Sequence, residues 1–280
     1  MGETCVPDTL EKIITLYTPP LASVLALGIK PIGLTPVTGI LNPFPTYLAN
    51  RVSGIETVGN LNYEPNLEKI ARLKPDLILG WDHHEKDYPL LSRIGPTVLT
   101  QPNKTSSWAD WQEYFKFVAE ILGKQDCAQQ VLDRYEQRIQ DLKAALSNQY
   151  ADKTISVAQI SQEYGTEVYV ENSFPGSILS ELGLKRPTSQ AVTIQPRGVI
   201  EAISNERLDL IDGDILFVLT FNEEDKPMLQ SSLQDPLWQK LKAVQQGQVY
   251  LVDGWTWVVS NPLAANAVLD DLAKYLINAP

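Results

Sequence analysis

The chain has 280 residues, of which 44% are hydrophobic and 20% charged, so it is long enough for two α/β lobes and too apolar for wholesale disorder. Its net charge of −11, from 34 acidic and 23 basic residues, argues against a nucleic-acid partner, because phosphate binding depends on clustered Lys and Arg. No apolar run approaches the ~20 residues that span a bilayer, and no secretory signal is visible at the start, so the chain is either cytosolic or already trimmed of its signal.

Short runs rich in Val, Ile and Leu alternate with helical stretches, which predicts βα units around buried, parallel sheets. We predict strands at 12–16, 31–35, 76–81 and 97–100 in the first half, and at 154–160, 167–170, 214–220 and 248–253 in the second. The first strand is followed by Thr18, Pro19 and Pro20, which we interpret as a rigid turn.

The middle of the chain, residues 107–148, contains no strand pattern. Apolar residues recur there at helical spacing in two stripes, with Gly123 between them. A helix of about 16 residues is ~24 Å long, which suits a spacer between two lobes, although an ordinary pair of surface helices has the same periodicity. We predict an N-terminal lobe at 1–104, an inter-lobe helix at 105–123 and a C-terminal lobe at 124–280.

Two segments of the chain match without gaps. Residues 66–79 and 204–217 share a polar N-cap, a Glu two positions later and an Asp that opens a buried strand. A second matching pair, 27–30 and 182–185, ends a helix at a Gly in the same relative place. We interpret this repeat as two related α/β lobes, the alternative being that helix-to-strand junctions look alike in any α/β protein.

Ligands of open α/β sheets bind beyond the carboxyl ends of the strands, so two such lobes predict a cleft lined by these ends. Aromatic residues follow several predicted strands, where their faces would bury a large, partly apolar ligand; core packing is the alternative for each of them. The candidates of this kind are Trp81, Tyr88, Tyr164, Phe221, Trp255 and Trp257.

The remaining candidates for ligand contact are polar. His83 and His84 are the only histidines; neighbours on an extended chain point in opposite directions, so we predict no metal site. We interpret His83 as a contact to an anionic or hydrogen-bonding ligand, the alternative being that both histidines are solvated loop residues. Arg51 and Arg197 lie in loop-like segments and could each pair with an anionic oxygen, unless they are ordinary surface residues.

The sequence carries no signature of an enzyme. It has no Gly-rich phosphate loop, no G-x-S-x-G elbow and no H-E-x-x-H or C-x-x-C motif, so we predict a binding protein without catalytic residues or cofactor. Cys5 and Cys127 are the two cysteines, and they could form one disulfide or remain free thiols.

Several segments carry the hallmarks of one family. They are residues 58–60 and 64–78, 84–88, 94–98, 172–177, 236–250 and 262–272. Together they resemble the periplasmic binding proteins for iron–siderophore complexes and cobalamin of ABC importers, over nearly the whole chain. The resemblance implies two Rossmann-like lobes with central parallel sheets joined by a single long helix, and little hinge motion.

The resemblance also implies a function. The protein would be a monomer outside the cytoplasm that captures a ferric siderophore in the inter-lobe cleft and delivers it to an ABC transporter permease and its ATPase. Cobalamin or haem is the alternative ligand within this class, and a two-domain enzyme or a ligand-sensing domain are alternatives outside it. Export behind a signal peptide is implied as well; Cys5 does not follow an apolar lipobox, so any lipid anchor would lie upstream.

Three residues take roles from the resemblance. One Glu on each lobe of such proteins docks onto permease arginines, and Glu68 and Glu206 match these positions; a first-turn Glu that only complements the helix dipole is the alternative. Many siderophore-binding relatives have an Arg where this chain has His83, a group whose charge depends on pH. This difference favours a hydroxamate or citrate–hydroxamate complex of low charge over a strongly anionic catecholate complex.

Overall fold

The computed structural model describes residues 10–36, 44–61, 63–99, 110–146, 149–161, 165–195 and 197–277. It divides the chain into two compact units. Unit 1 comprises residues 1–104, 111–134 and 261–263, and unit 2 comprises residues 105–110, 135–260 and 264–280. Each unit contains one five-stranded sheet.

The sheet of unit 1 is parallel throughout, with the strand order β3-β2-β1-β4-β5. Its strands are β1 (Ile13–Thr15), β2 (Gly33–Leu34), β3 (Glu56–Thr57), β4 (Leu77–Gly80) and β5 (Thr97–Leu99). Its helices are α1 (Thr18–Ala26), α2 (Thr46–Ala49), α3 (Leu67–Leu73), α4 (Tyr88–Ile94) and α5 (Trp111–Ile121), with a 3₁₀ turn at Asp82–His84.

Apolar side chains cover both faces of this sheet. Ile14 and Ile78 pack with Ile70 of α3 on one face. Leu34 packs with Leu21 of α1 on the other. Burial on both faces explains why the strands are continuous apolar runs rather than alternating ones.

Helix α6 (Gln125–Leu146) carries the chain from unit 1 into unit 2, since the division between the units falls after Arg134. The sequence analysis placed the connecting helix at 105–123, but α5 lies within unit 1, where it packs against α1. The apolar stripes of α5 and α6 look alike in sequence, and only their packing partners distinguish them. In unit 2, the Tyr135 hydroxyl of α6 donates a hydrogen bond of 2.7 Å to Glu181.

The sheet of unit 2 has the strand order β10-β9-β6-β7-β8. Its strands are β6 (Ile155–Ser161), β7 (Gly165–Tyr169), β8 (Val199–Ile200), β9 (Ile215–Thr220) and β10 (Val249–Asp253). Its helices are α7 (Phe174–Glu181), α8 (Asp225–Ser232), α9 (Lys242–Gln245), α10 (Gly254–Val258) and α11 (Pro262–Leu276), with 3₁₀ helices at Asn205–Ile211 and Trp238–Lys240. The first two residues of α11 fall in unit 1.

The predicted α/β class with two Rossmann-like lobes is confirmed, and each of the eight predicted strands is present. Two details differ. β7 pairs antiparallel with both β6 and β8, so this sheet is only partly parallel. Thr18, Pro19 and Pro20 form the first turn of α1 rather than a separate turn, because a helix tolerates Pro where its first N–H groups have no intrahelical partner.

The repeat seen in the sequence has a structural counterpart at the amino edge of each sheet. Asp76 directly precedes β4 and accepts a 2.9 Å hydrogen bond from the main-chain N–H of Lys12, the residue before β1. Asp214 directly precedes β9 and accepts hydrogen bonds of 2.8 Å from the main-chain N–H and the hydroxyl of Thr154, the residue before β6. Each Asp therefore joins the two central strands of its sheet at their start.

We expect Asp214→Ala to lower the free energy of unfolding by about 1–3 kcal/mol, because the half-buried start of β6 loses a charged acceptor. Burial acts to raise the pKa of Asp214, but the hydrogen bonds from Thr154 and the charges of Lys153 and Lys242 outweigh it and hold the pKa below 3.8. The stabilising effect of the charge is thus present above this pH and is lost as the pH falls through the folded-state pKa.

Urea unfolding of the wild type, Asp214→Ala and Asp214→Asn at several pH values measures both effects. The advantage of the wild type over Asp214→Asn should vanish at low pH. Asp209→Ala is the control, because the Asp209 carboxylate forms an exposed ion pair with Arg207, and its loss should move the urea midpoint much less than Asp214→Ala does. An unchanged urea midpoint for Asp214→Ala at pH 7 would contradict the strand-joining role.

Candidate functional site

Aromatic rings cluster at the carboxyl edge of the sheet in unit 1. Tyr17 follows β1 and Trp81 follows β4, and their ring centroids lie 5.5 Å apart because these two strands are neighbours. The His83 ring lies 4.8 Å from the Tyr17 ring in an edge-to-face arrangement. The strand-end position predicted for Trp81 and His83 therefore brings both into one cluster.

Two further tyrosines complete this ring cluster, which we define as Tyr17, Tyr63, Trp81, His83 and Tyr114. Tyr63 packs edge-to-face on Tyr17 at 4.9 Å, and Tyr114 of α5 lies 4.8 Å from Trp81. The sequence analysis missed all three tyrosines. Only Tyr17 had a visible signal, its place directly behind a strand; the other two are brought in by a loop and a helix.

Tyr63 is presented by a tight loop between β3 and α3. Gly59 and Pro65 form an isolated bridge at its base, and Asn60 and Glu64 exchange main-chain and side-chain hydrogen bonds across it. A side chain at position 59 would lie 2.5 Å from Thr35 and 2.7 Å from the Glu64 carbonyl, so the loop closes only over a Gly. Tyr63 itself adopts a φ of 60°, an uncommon conformation for a bulky residue.

The two histidines are both kept neutral at pH 7. Burial, aided by the neighbouring His84, lowers the pKa of His83 to about 4, and the attraction of Asp82 only partly opposes this. The His83 side chain retains 36% of its exposure, so it can still reach a ligand. Burial also lowers the pKa of His84, which has no exposed surface.

The His84 ring makes one hydrogen bond from each nitrogen. Nδ1 lies 3.1 Å from the main-chain nitrogen of Trp81, and Nε2 lies 3.0 Å from the carbonyl oxygen of Tyr63. Because the Trp81 N–H can only donate and the Tyr63 carbonyl can only accept, the ring must carry its proton on Nε2. His84 therefore contributes a fixed tautomer beneath the ring cluster rather than a ligand contact.

Unit 2 carries a smaller aromatic pair at its own carboxyl edge. Phe221 follows β9 and Trp255 lies in α10 after β10; their rings meet edge-to-face at 5.3 Å, and both are half-buried. Carboxylates fix both segments. Asp225 accepts from the main-chain N–H groups of Phe221 and Asn222, and Asp253 caps α10 by accepting from Thr256.

Trp257 has a different environment from Trp255. Its side chain has no exposed surface, stacks on Phe217 at 4.9 Å and donates a 2.8 Å hydrogen bond to Asp271. These contacts place it in the core of unit 2. We therefore correct its assignment as a ligand contact, because a side chain without accessible surface cannot meet a ligand in this structure.

The remaining candidates are two arginines and two tyrosines. Arg51 is exposed at the end of α2, and Tyr88 is half-buried at the start of α4. Arg197 is exposed beside the edge strand β8, 3.5 Å from Glu201. Since β8 lies three strands from β9, it is roughly 14 Å from the Phe221 strand. Tyr164 and Cys5 lie outside the described residues; the Cys127 thiol lies 3.8 Å from the Leu27 carbonyl oxygen.

Glu68 and Glu206 occupy comparable positions in the two units. Each is exposed in the first turn of the helix that leads into a central strand, Glu68 before β4 and Glu206 before β9. The second helix is of the 3₁₀ type. β3 and β8 end shortly before these helices and run in the same direction as β1 and β6, so each Glu lies at the carboxyl edge of its sheet.

The described residues lack two further features. No three or more of their His, Cys, Asp and Glu side chains are grouped so that they could hold a metal ion. None of the helices in that part of the chain combines the length and apolarity needed to cross a membrane.

Comparison with known proteins adds the family. The model of the family described as "Periplasmic binding protein" matches residues 13–254. The probable siderophore-binding lipoprotein YfiY of Bacillus subtilis is 34% identical over 97% of this chain and 84% of its own length. The achromobactin-binding periplasmic protein of Dickeya dadantii is 33% identical over 94% of this chain and 86% of its own length.

A solved structure agrees with these sequence matches. Staphylococcus aureus SirA in complex with staphyloferrin B superposes with a TM-score of 0.82, at 27% identity, over 99% of this chain and 96% of that one. The resemblance drawn from the sequence is thereby confirmed: because the family model and both relatives extend along most of its length, the chain belongs to the periplasmic binding protein family.

Proposed function

We propose that the protein is an extracytoplasmic, monomeric substrate-binding protein that captures a ferric siderophore and delivers it to an ABC importer. The ligand is a hydroxamate or citrate–hydroxamate complex of low charge. The observation that carries the proposal is the ring cluster at the carboxyl edge of unit 1, where three tyrosines, Trp81 and a neutral imidazole lie together.

The ring cluster suits the surface of a chelate. A siderophore encloses its ferric ion in oxygen ligands, so the protein meets an organic shell that alternates apolar stretches with polar groups. Aromatic faces bury the apolar stretches, and tyrosine hydroxyls and the imidazole edge hydrogen-bond the polar ones. The rings of Phe221 and Trp255 at the carboxyl edge of unit 2 offer the same chemistry.

The relatives support a ferric siderophore as the ligand and a location outside the cytoplasm. Their names refer to siderophore binding, achromobactin and staphyloferrin B, and they describe one lipoprotein and one periplasmic protein. Other relatives are named for ferric citrate and for iron(3+)-hydroxamate, in Escherichia coli and Bacillus subtilis. A further relative in Bacillus subtilis is named as a putative ABC transporter substrate-binding lipoprotein, which supports delivery to an importer.

Glu68 and Glu206 are proposed to dock on the permease. Both are exposed at the carboxyl edges of their sheets, and the repeat makes them equivalent. A pair of carboxylates on two related units matches a transporter whose two permease subunits present arginines, because Arg and carboxylate pair in a bidentate way.

We expect Trp81→Leu and Trp255→Leu each to weaken ligand binding by about 5–30-fold, since truncation of a ring that packs on a ligand costs ~1–2 kcal/mol. Fluorescence titration of the purified variants with a ferric hydroxamate, a ferric citrate–hydroxamate, a ferric catecholate, cobalamin and haemin measures this. Tyr275→Leu is the control. Tyr275 and Tyr250 form another half-buried ring pair in unit 2, but Tyr250 lies within β10 and not at the carboxyl edge of the sheet.

Saturable quenching by a ferric siderophore, lost in the two Trp variants and kept in the control, would support the proposal. A response only to cobalamin or haemin would move the ligand to the alternative within the same transport class. Equal weakening by all three substitutions would mean that the rings act through stability rather than contact.

We expect His83→Arg to shift ligand preference toward anionic complexes. His83 is neutral at pH 7, so Arg adds a permanent positive charge beside Tyr17, which should raise the affinity for a ferric catecholate relative to a ferric hydroxamate by about 5–50-fold. His83→Gln is the matched control, because it keeps a neutral polar side chain. An unchanged preference in His83→Arg would show that position 83 does not face the ligand.

We expect Glu68→Ala and Glu206→Ala to lower transport strongly and to leave ligand affinity within about twofold, because these side chains meet the permease rather than the ligand. Uptake of iron-55 siderophore by cells that depend on this protein, together with titration of the purified variants, separates the two effects. Asp152→Ala removes one exposed negative charge at the amino edge of unit 2 and should retain uptake. Loss of affinity in either Glu variant would contradict the docking role.

A further inference from the structure

A buried histidine, His84, lies beneath the ring cluster, and contact with a ligand does not explain its presence there. His84 has no exposed surface, yet its two nitrogens reach two different chain segments. Nδ1 accepts from the main chain of Trp81 in the turn after β4, and Nε2 donates to the carbonyl of Tyr63 in the loop between β3 and α3. These two segments carry three of the five rings in the cluster.

The position of the imidazole is closely defined. A side chain at Gly80, the last residue of β4, would come within 2.6 Å of Leu99 and 3.3 Å of His84 Nδ1, so the imidazole packs where only a Gly leaves room. The main-chain N–H of His84 also donates a 3.0 Å hydrogen bond to the carbonyl of Trp81, which closes the 3₁₀ turn. Ring and main chain of His84 thus both fix Trp81.

The Tyr63 segment depends on such an external tie. Tyr63 has a φ of 60°, a conformation that costs a residue other than Gly ~1–2 kcal/mol, and its loop is half-exposed. Hydrogen bonds between Asn60 and Glu64 close the loop upon itself but do not orient it toward the sheet. The contacts of the Tyr63 ring with Tyr17 and His83 and the hydrogen bond from His84 to the Tyr63 carbonyl provide that orientation; of these, only the hydrogen bond fixes the main chain.

The neutral charge state of the His84 ring suits its two hydrogen bonds. A neutral ring with one donor and one acceptor satisfies both partners, whereas a doubly protonated ring would face the Trp81 N–H with a second donor. Burial lowers the pKa of His84, while Asp82 and Asp87 act in the opposite direction. The ring therefore remains in its single-acceptor form at neutral pH.

We propose that His84 is a positioning residue for the ligand site: its buried imidazole ties the Tyr63 loop to the Trp81–His83 turn and so holds the ring cluster in its ligand-binding arrangement before the ligand arrives. This inference rests on the proposed function of the ring cluster. It differs from the role of an ordinary core histidine, which would contribute to stability alone. Rings ordered in advance bind more tightly because the ligand does not have to order them.

Two substitutions remove the two hydrogen bonds separately. In His84→Asn the amide oxygen lies near the place of Nδ1 and can accept from Trp81, but nothing reaches the Tyr63 carbonyl. In His84→Gln the amide nitrogen lies near the place of Nε2 and can donate to Tyr63, but the Trp81 N–H loses its acceptor. His84→Leu removes both bonds at similar volume.

The control is Ile70→Val, which removes one methylene group from the core of the same unit without touching the rings. We expect each of His84→Asn and His84→Gln to raise the Kd for the ferric siderophore by about 10-fold, the value of one hydrogen bond to a buried group. Ile70→Val should change the Kd by less than about twofold, even where its urea midpoint falls as far as those of the His84 variants.

Hydrogen exchange of the ligand-free proteins supplies a readout that stability alone does not move. The segment 59–65 should exchange faster in His84→Asn, the segment 81–84 in His84→Gln, and both segments in His84→Leu, while the β6 and β9 segments of unit 2 keep wild-type rates. Saturating ligand should restore protection in His84→Asn, since ligand binding then orders the rings that the imidazole no longer holds.

Wild-type Kd values in both amide variants, or exchange in segment 59–65 that does not change, would overturn the proposal. An equal rise in Kd for Ile70→Val at the same urea midpoint would also overturn it, because His84 would then act only through stability. If the wild-type protein bound no iron chelate at all, the proposed function would fail, and the exchange measurement would still decide whether His84 holds the two segments together.

Discussion

The parallel pairing of β1 with β4 is the constraint on which the ring cluster depends. The register aligns Thr15 with Leu79, so Tyr17 and Trp81, each two residues further along its chain segment, emerge side by side. Neighbouring strands lie ~4.8 Å apart, close to the 5.5 Å between the rings of Tyr17 and Trp81. Asp76 fixes the same pair of strands at their start. A slip of one residue would exchange the faces of a strand and separate the rings.

Burial then decides the electrostatic character of this edge. Two adjacent histidines would form a cationic patch at mildly acidic pH if they were exposed, but desolvation holds the pKa of His83 near 4 and lowers that of His84 as well. The same desolvation gives the two rings different tasks. The His83 side chain is partly exposed and adds a neutral polar edge to the cluster. The His84 side chain is fully buried, and both of its nitrogens hydrogen-bond the main chain.

The strands and their carboxyl edge could be predicted from the sequence because continuous Val, Ile and Leu runs identify buried parallel strands. Trp81, Phe221 and Trp255 were found because they directly follow such runs. Tyr63 could not be found, since its position depends on a loop closed at Gly59 and a tie to His84 that is 21 residues away. β3 and β8 were not predicted, because each is two residues long and neither lies in a continuous run of Val, Ile and Leu. An apolar stripe also does not reveal which element a helix packs against. For this reason the sequence did not show that α5 packs within unit 1 and that α6 connects the two units.

Trp255 and Trp257 illustrate why the position after a strand was not sufficient. We treated both as loop residues, but Asp253 caps a short helix there, and residues two apart on a helix point to nearly opposite sides. One ring therefore meets Phe221 at the carboxyl edge, and the other stacks on Phe217 in the core. The helix cap thus decides which of two neighbouring tryptophans is available to a ligand.

The two units are alike at the amino edges of their sheets and differ at the carboxyl edges, where the rings lie. At the amino edge, Asp76 and Asp214 make the same strand-joining contact in equivalent places. At the carboxyl edge, unit 1 holds its rings with a neutral imidazole and unit 2 holds its rings with the carboxylates of Asp225 and Asp253. A carboxylate accepts from several N–H groups but donates to none, so it can fix one segment, whereas an imidazole with a donor and an acceptor can join two. The larger, composite ring cluster is accordingly found in the unit that has the buried histidine.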